Sequence, residues 1–141
     1  MSTNTNIHRD IFWMMCGTHL GGGMSRNVYE CEIMKNCVIK VEETAYKFQN
    51  VIEWETWQQV KETDFAKWFA PCEYISPNGS ILIMQRTKNA LEYPDKLPAF
   101  LTDTKKNNYG MLGKDFVCHD YGTNLVISAG LTKRFRRVNW D

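Results

Sequence analysis

Four groups of residues have types and spacings that could do chemistry on a charged substrate. Gly21-Gly22-Gly23 lies shortly before Val28 and Tyr29. Glycines let backbone amides approach a phosphate closely, because no side chain intervenes. Lys40 stands inside the apolar run Cys37-Val38-Ile39-Lys40-Val41. A lysine there needs an anionic partner or an exit to water. Glu53 and Glu55 follow, and either could be that partner. Asp103, Asn108 and Asp120 carry hard oxygen atoms, the ligand type that suits Mg²⁺. Each group also has a plain reading when taken alone: a glycine turn, a solvent-facing lysine on an edge strand, an exposed helix carboxylate, and ordinary loop turns.

The elements that must position these residues can be read from patterning. Met1–Asn6 is small and polar and reads as a frayed end. From Trp13 to Val41 the chain reads as strands broken by glycine, with a turn at Asn36. Phe48 to Lys61 lacks Gly and Pro and has apolar residues at 48, 51, 54, 57 and 60. That spacing predicts one helix whose Trp54 and Trp57 rings pack on a sheet. Glu53 shares a helix face with Trp57 and Val60, and Glu55 with Val51 and Ile52, so helical geometry leaves both open. Trp68–Ile75 and Ile81–Met84 read as a hairpin around Ser76-Pro77-Asn78-Gly79. Arg86 to Phe100, with Pro94 and Pro98, is a polar connection without a long helix. Tyr109–Leu112 and Phe116–His119 form a second hairpin around Gly113-Lys114-Asp115, which would set Asn108 beside Asp120. Leu131–Asp141 holds Lys133, Arg134, Arg136 and Arg137 and reads as a solvated basic tail.

Composition narrows the function classes. The 141 residues suit one compact domain. A net charge of +1 argues against a protein that coats nucleic acid. No stretch approaches the roughly 20 apolar residues of a membrane helix, and no signal peptide is visible, so a cytoplasmic setting is expected. Five cysteines, an odd number without a CxxC pair, read as reduced thiols rather than a disulfide framework or a zinc cage. His119, between Cys118 and Asp120, does not make a metal cage with them, because adjacent strand residues point to opposite faces.

Taken in order, the four groups resemble a protein kinase. Gly21-Gly22-Gly23 with Val28 matches the glycine-rich loop and its valine, and Cys37-Val38-Ile39-Lys40 matches VAIK. Asp103 and Asn108 are spaced as the catalytic Asp and metal-binding Asn are, Lys105 matches the lysine usual in serine/threonine kinases, and Asp120-Tyr121-Gly122 stands as DFG. The run Glu53-Trp54, Trp57, Trp68-Phe69-Ala70-Pro71 and Ser76-Pro77-Asn78-Gly79 is similar to small kinase-like proteins of bacteria and their phages.

The resemblance implies an α+β fold: a twisted antiparallel sheet of about five strands with one helix like a kinase αC, then a catalytic and metal-binding hairpin. It implies an N-lobe-like part over 10–86, a connection over 87–100 and a catalytic loop with its DYG hairpin over 101–122, followed by the tail 131–141. It favours Glu53 as the partner of Lys40. Leu20, Val28, Val38 and Met84 would line an adenine slot, and Gln85, Arg86 and Thr87 would form the hinge. Loop amides of Gly21, Gly22 and Gly23 would cover the phosphates of ATP, and Asn108 and Asp120 would hold Mg²⁺. Asp103 would orient or deprotonate the acceptor hydroxyl, and Lys105 would steady the transferring group. Departures are plain. Arg26 replaces the third loop glycine, Leu101 and Thr102 replace the His-Arg of the catalytic loop, and nineteen residues follow Gly122. Most of a kinase C-lobe is missing, which leaves a pseudokinase that binds a partner protein as the alternative. The missing lobe should expose an apolar underside near Tyr109, Phe116 and Leu131, suited to a homodimer or a protein partner.

Overall fold

Cys37–Val41 is the middle strand of the sheet. In the computed structural model, which describes residues 3–23, 25–43 and 48–140, five antiparallel strands lie in the order β1-β2-β3-β5-β4. They are β1 (Cys16–Gly22), β2 (Asn27–Cys31), β3 (Cys37–Val41), β4 (Cys72–Ile75) and β5 (Ile81–Gln85). Strand side chains alternate between faces, and cross-strand partners share one. Lys40 is paired with Val28 on one side and Leu82 on the other, and Val38 with Met84. These residues look onto the main core. Cys37, Ile39 and Ile83 look the other way, into a second cluster. Both faces are therefore covered, and the solvent-facing edge lysine is excluded.

The outer face is covered by helix α1 (Thr3–Met15), whose Phe12 and Met15 pack onto Cys16, Ile39 and Ile83. This corrects the expectation of a frayed end and of strand from Trp13; Met1 and Ser2 lie outside the described residues. The inner face carries helix α2 (Gln49–Val60), as expected over 48–61. Its most buried side is Asn50, Glu53, Thr56 and Val60 rather than the tryptophans, which are half-buried at the flanks of the core. A mostly polar stripe tolerates burial because its groups have partners. The Glu42 carboxylate accepts the backbone N–H groups of Gln49 (3.0 Å) and Asn50 (2.9 Å), satisfying the start of the helix. Asn50 Nδ2 donates to the carbonyls of Lys40 and Gly79.

Residues 64–68 form a 3₁₀ turn, so the strand expected from Trp68 begins only at Cys72. The hairpin of β7 (Tyr109–Leu112) and β8 (Asp115–Cys118) forms as expected, with Gly113 at φ 63° in its turn. Inside the connection, β6 (Lys96–Pro98) pairs with β9 (Phe135–Arg137); α3 (Val126–Ala129) is a single turn. The tail is thus docked, not solvated. Arg136 Nη2 donates to the carbonyl of Leu101 at 2.7 Å, and Trp140 Nε1 to that of Pro94 at 2.7 Å. The Trp140 ring packs on Tyr93, Tyr109 and Phe116. That removes the apolar underside expected at Tyr109 and Phe116: Tyr109 is buried, and Phe116 and Leu131 are half-buried against the core. All five cysteines are free thiols. Among the described residues, no helix is long and apolar enough to cross a membrane.

Candidate active site

The centre of the site is a buried carboxylate. Glu53 is fully buried on α2, one turn after Asn50, and faces the middle of the sheet. Its Oε1 accepts Lys40 Nζ at 2.9 Å and Arg26 Nη1 at 2.9 Å. Its Oε2 accepts Arg26 Nη2 at 2.6 Å and the backbone N–H of Tyr121 at 2.8 Å. Burial alone would push this carboxyl up; the Arg26 and Lys40 charges outweigh burial and hold it at about 2. Glu55 is exposed on the opposite side of the helix, so Glu53 is the partner of Lys40.

Lys40 also donates to the carbonyl of His119 at 2.6 Å, which ties the central strand to the end of β8. An ammonium has three N–H groups, so one remains for a ligand. His119 Nε2 lies 2.7 Å from the Asn107 carbonyl, which can only accept, so that nitrogen carries the proton. Its Nδ1 then accepts from Thr87 Oγ1 at 2.6 Å. Burial lowers the pKa of this ring. Two residues on, Tyr121 is fully buried and donates its hydroxyl to the Ala70 carbonyl at 2.7 Å.

The hairpin sets Asn108 opposite His119, whose N–H donates to the Asn108 carbonyl at 2.8 Å, and Asp120 follows one residue on. Arg26 was expected only as a replaced loop glycine, yet it is the residue the sequence reading missed. Its guanidinium is buried among Asn50, Glu53 and Asp120, with Nη2 3.0 Å from Asp120 Oδ1. Its departure from the glycine pattern was the available signal.

The remaining expected residues lie around this cluster. Gly21 pairs with Val28 across β1 and β2, and a methyl group added at Gly21 or Gly23 would enter open space. Gly22 is different, because a Cβ there would meet Asn27 Oδ1 at 2.5 Å. Met24, in the same loop, lies outside the described residues. Val38 and Met84 are buried side by side next to Lys40, while Leu20 is exposed at the loop. Gln85 ends β5, beside an open cavity of about 980 Å³ that Arg86, Thr87 and Lys88 also line. Asp103 is half-buried, and its carbonyl accepts the Tyr109 hydroxyl at 3.0 Å. Lys105 is exposed at the start of the 3₁₀ turn Lys106–Asn108.

Whether these residues suit Mg²⁺ turns on Arg26. The donor set is one carboxylate and one amide, and one carboxylate oxygen already holds a guanidinium. Among the described residues, no three His, Cys, Asp or Glu side chains converge as a metal site. A divalent ion at Asp120 would have to share that carboxylate with a buried guanidinium already 3.0 Å from one of its oxygens. As arranged, the pair does not fit the metal.

No protein-family model matches the sequence, and no curated protein matches it. Among solved structures the chain is similar to the streptomycin–ATP–APH(2'')-IIa ternary complex, an aminoglycoside phosphotransferase, at 15% identity and a TM-score of 0.45. The match covers 64% of this chain and 30% of that one, so the chain spans under a third of that structure.

Proposed function

We propose that this chain is a minimal kinase-like domain that binds ATP between the β1–β2 loop and the sheet and passes its terminal phosphate to a hydroxyl group, serine or threonine in the first instance. The observation that carries the reading is the buried Lys40–Glu53 pair, on the central strand and the packed helix, beside Asp120-Tyr121-Gly122. A fully buried carboxylate that fixes a lysine with one donor to spare is an arrangement for holding phosphate charge. Open space over Gly21 and Gly23 leaves room for phosphates under the loop amides. Val38, Met84, Val28 and Leu20 offer the apolar wall for a base; of Gln85–Thr87, the Gln85 and Arg86 N–H groups already donate to the Pro71 and Asn36 carbonyls, so a base would meet the remaining backbone groups.

Phosphoryl transfer needs positioning and charge neutralisation more than covalent steps. Lys40 would neutralise the phosphates. Asp103 would accept the proton of the attacking hydroxyl, on a loop whose backbone Arg136 and Tyr109 hold in place. Lys105 is free to swing over the transferring group. The second reading, a pseudokinase that binds a partner protein, is favoured by one observation: Arg26 already occupies Asp120.

The test is transfer of radiolabelled γ-phosphate from ATP to the chain itself and to mixed serine- and threonine-containing peptides. Transfer is expected in the wild type. Asp103→Asn should lower it about 10²-fold or more, the scale for a lost general base, while ATP still binds. ATP binding without transfer to any acceptor would leave the pseudokinase reading standing instead.

A further inference from the structure

Arg26 is more deeply engaged than a loop residue needs to be. All four terminal N–H groups of its guanidinium have acceptors: Asn50 Oδ1 and Glu53 Oε1 for Nη1, Glu53 Oε2 and Asp120 Oδ1 for Nη2. The neighbouring Ser25 donates its hydroxyl to Gln49 Oε1 at 2.7 Å, so the end of the loop is held onto α2 at two successive residues. Glu53 already has Lys40 as a counter-charge. The charge that Arg26 adds is matched by Asp120, whose side chain is 48% exposed. Arg26 and Lys40 offset Glu53 and Asp120, and the buried Glu42, whose charge also reaches Arg26, is held by the first N–H groups of α2. Only arginine's planar fork reaches two carboxylates and an amide at once.

We infer that Arg26 is the resident cation of this site: it fills the place at Asp120 that a divalent metal would otherwise take, and a nucleoside triphosphate binds here without needing a metal. The ligand class rests on the nucleotide reading above; the occupation of Asp120 does not. Two measurements separate them. In the first, Mn²⁺ alone is titrated and followed by electron paramagnetic resonance. The wild type should take up no Mn²⁺ at this site, whereas Arg26→Gln should bind one ion and lose it again when Asp120→Asn is added. Arg26→Lys is the companion variant if the glutamine variant does not fold: it keeps a cation for Glu53 but lacks the fork that spans to Asp120, so it too should gain the ion. Uptake of Mn²⁺ by the wild type that Asp120→Asn abolishes would overturn the inference, whatever the chain does with nucleotides. In the second, ATP is titrated calorimetrically in EDTA and in excess Mg²⁺. Wild-type affinities should agree within about threefold, and the Arg26 variants should bind at least about tenfold tighter with Mg²⁺, a ready difference to read. A wild type that binds ATP only with Mg²⁺ overturns the metal-free site. One that binds no ATP in either buffer overturns the nucleotide reading, with the metal titration still deciding who occupies Asp120.

Discussion

Replacing Glu53 with glutamine should be the most damaging single isosteric change in the chain. The carboxylate accepts four hydrogen bonds, three from cations and one from the Tyr121 N–H. Glutamine keeps the shape and loses the charge, and its amide turns N–H groups toward donors. Its one carbonyl oxygen can serve either Lys40 and Arg26 Nη1 or Arg26 Nη2 and the Tyr121 N–H, not both, and the two cations stay buried without a counter-charge at this position. Removing one partner of a buried ion pair costs about 3–5 kcal/mol. The displacement of the Glu53 carboxyl to about 2, from an ordinary value of 4.5, corresponds to roughly 3 kcal/mol by a separate route. Either figure is a large part of the 5–15 kcal/mol that holds a domain together. Because the folded carboxyl titrates below the unfolded one, this stabilisation is complete above about pH 4.5 and is lost as pH falls toward about 2. Urea unfolding at pH 7, followed by tryptophan fluorescence, should show a loss of about 3 kcal/mol or more for Glu53→Gln. Exposed Glu55→Gln should stay within about 0.5 kcal/mol of wild type. Equal, small effects for the two variants would refute the buried carboxylate at the centre of the fold.

Other expectations follow from neighbouring contacts. Burial lowers the pKa of His119, so the unfolded chain takes up a proton that the folded chain resists; stability should fall as pH drops below about 6.5, and His119→Asn should flatten that slope in pH-dependent urea melts. Trp140→Ala should remove about 2–3 kcal/mol and uncover Tyr109 and Phe116, read as a gain in binding of a hydrophobic dye. Arg136→Met should loosen the backbone at Leu101 and Thr102, lowering phosphate transfer while leaving ATP affinity within about twofold in steady-state kinetics and calorimetry.

Much of the frame is legible from local pattern. The β-rich run around Lys40, the break-free segment over 48–61 and the Ser76–Gly79 turn each follow one period and one set of turn residues, and all appear in the structure. The choice of Glu53 over Glu55 required more, because the buried side of α2 is polar. An apolar stripe at 51, 54 and 57 points beside the true interface, and only the partners of Asn50 and Glu53, brought from distant strands, make their burial tolerable. Helix α1 was hidden by its polar beginning, although Phe12 and Met15 sit at helical spacing. In the tail, Arg136, Val138 and Trp140 alternate inward at a strand period, but four basic residues masked it. At Arg26 the departure from the glycine pattern marks the position but not the role, which depends on three acceptors 24, 27 and 94 positions away in the chain.

The account turns on whether phosphate charge settles at Lys40. Calorimetric titration of ATP into the wild type and into Lys40→Met tests this directly, with circular dichroism and thermal melting confirming that the variant is folded. The wild type should bind one ATP, and the variant should bind at least about tenfold more weakly, because the phosphates lose a counter-charge in a desolvated cleft. A folded Lys40→Met protein that binds ATP as tightly as the wild type would contradict the account, and so would a wild type that binds none.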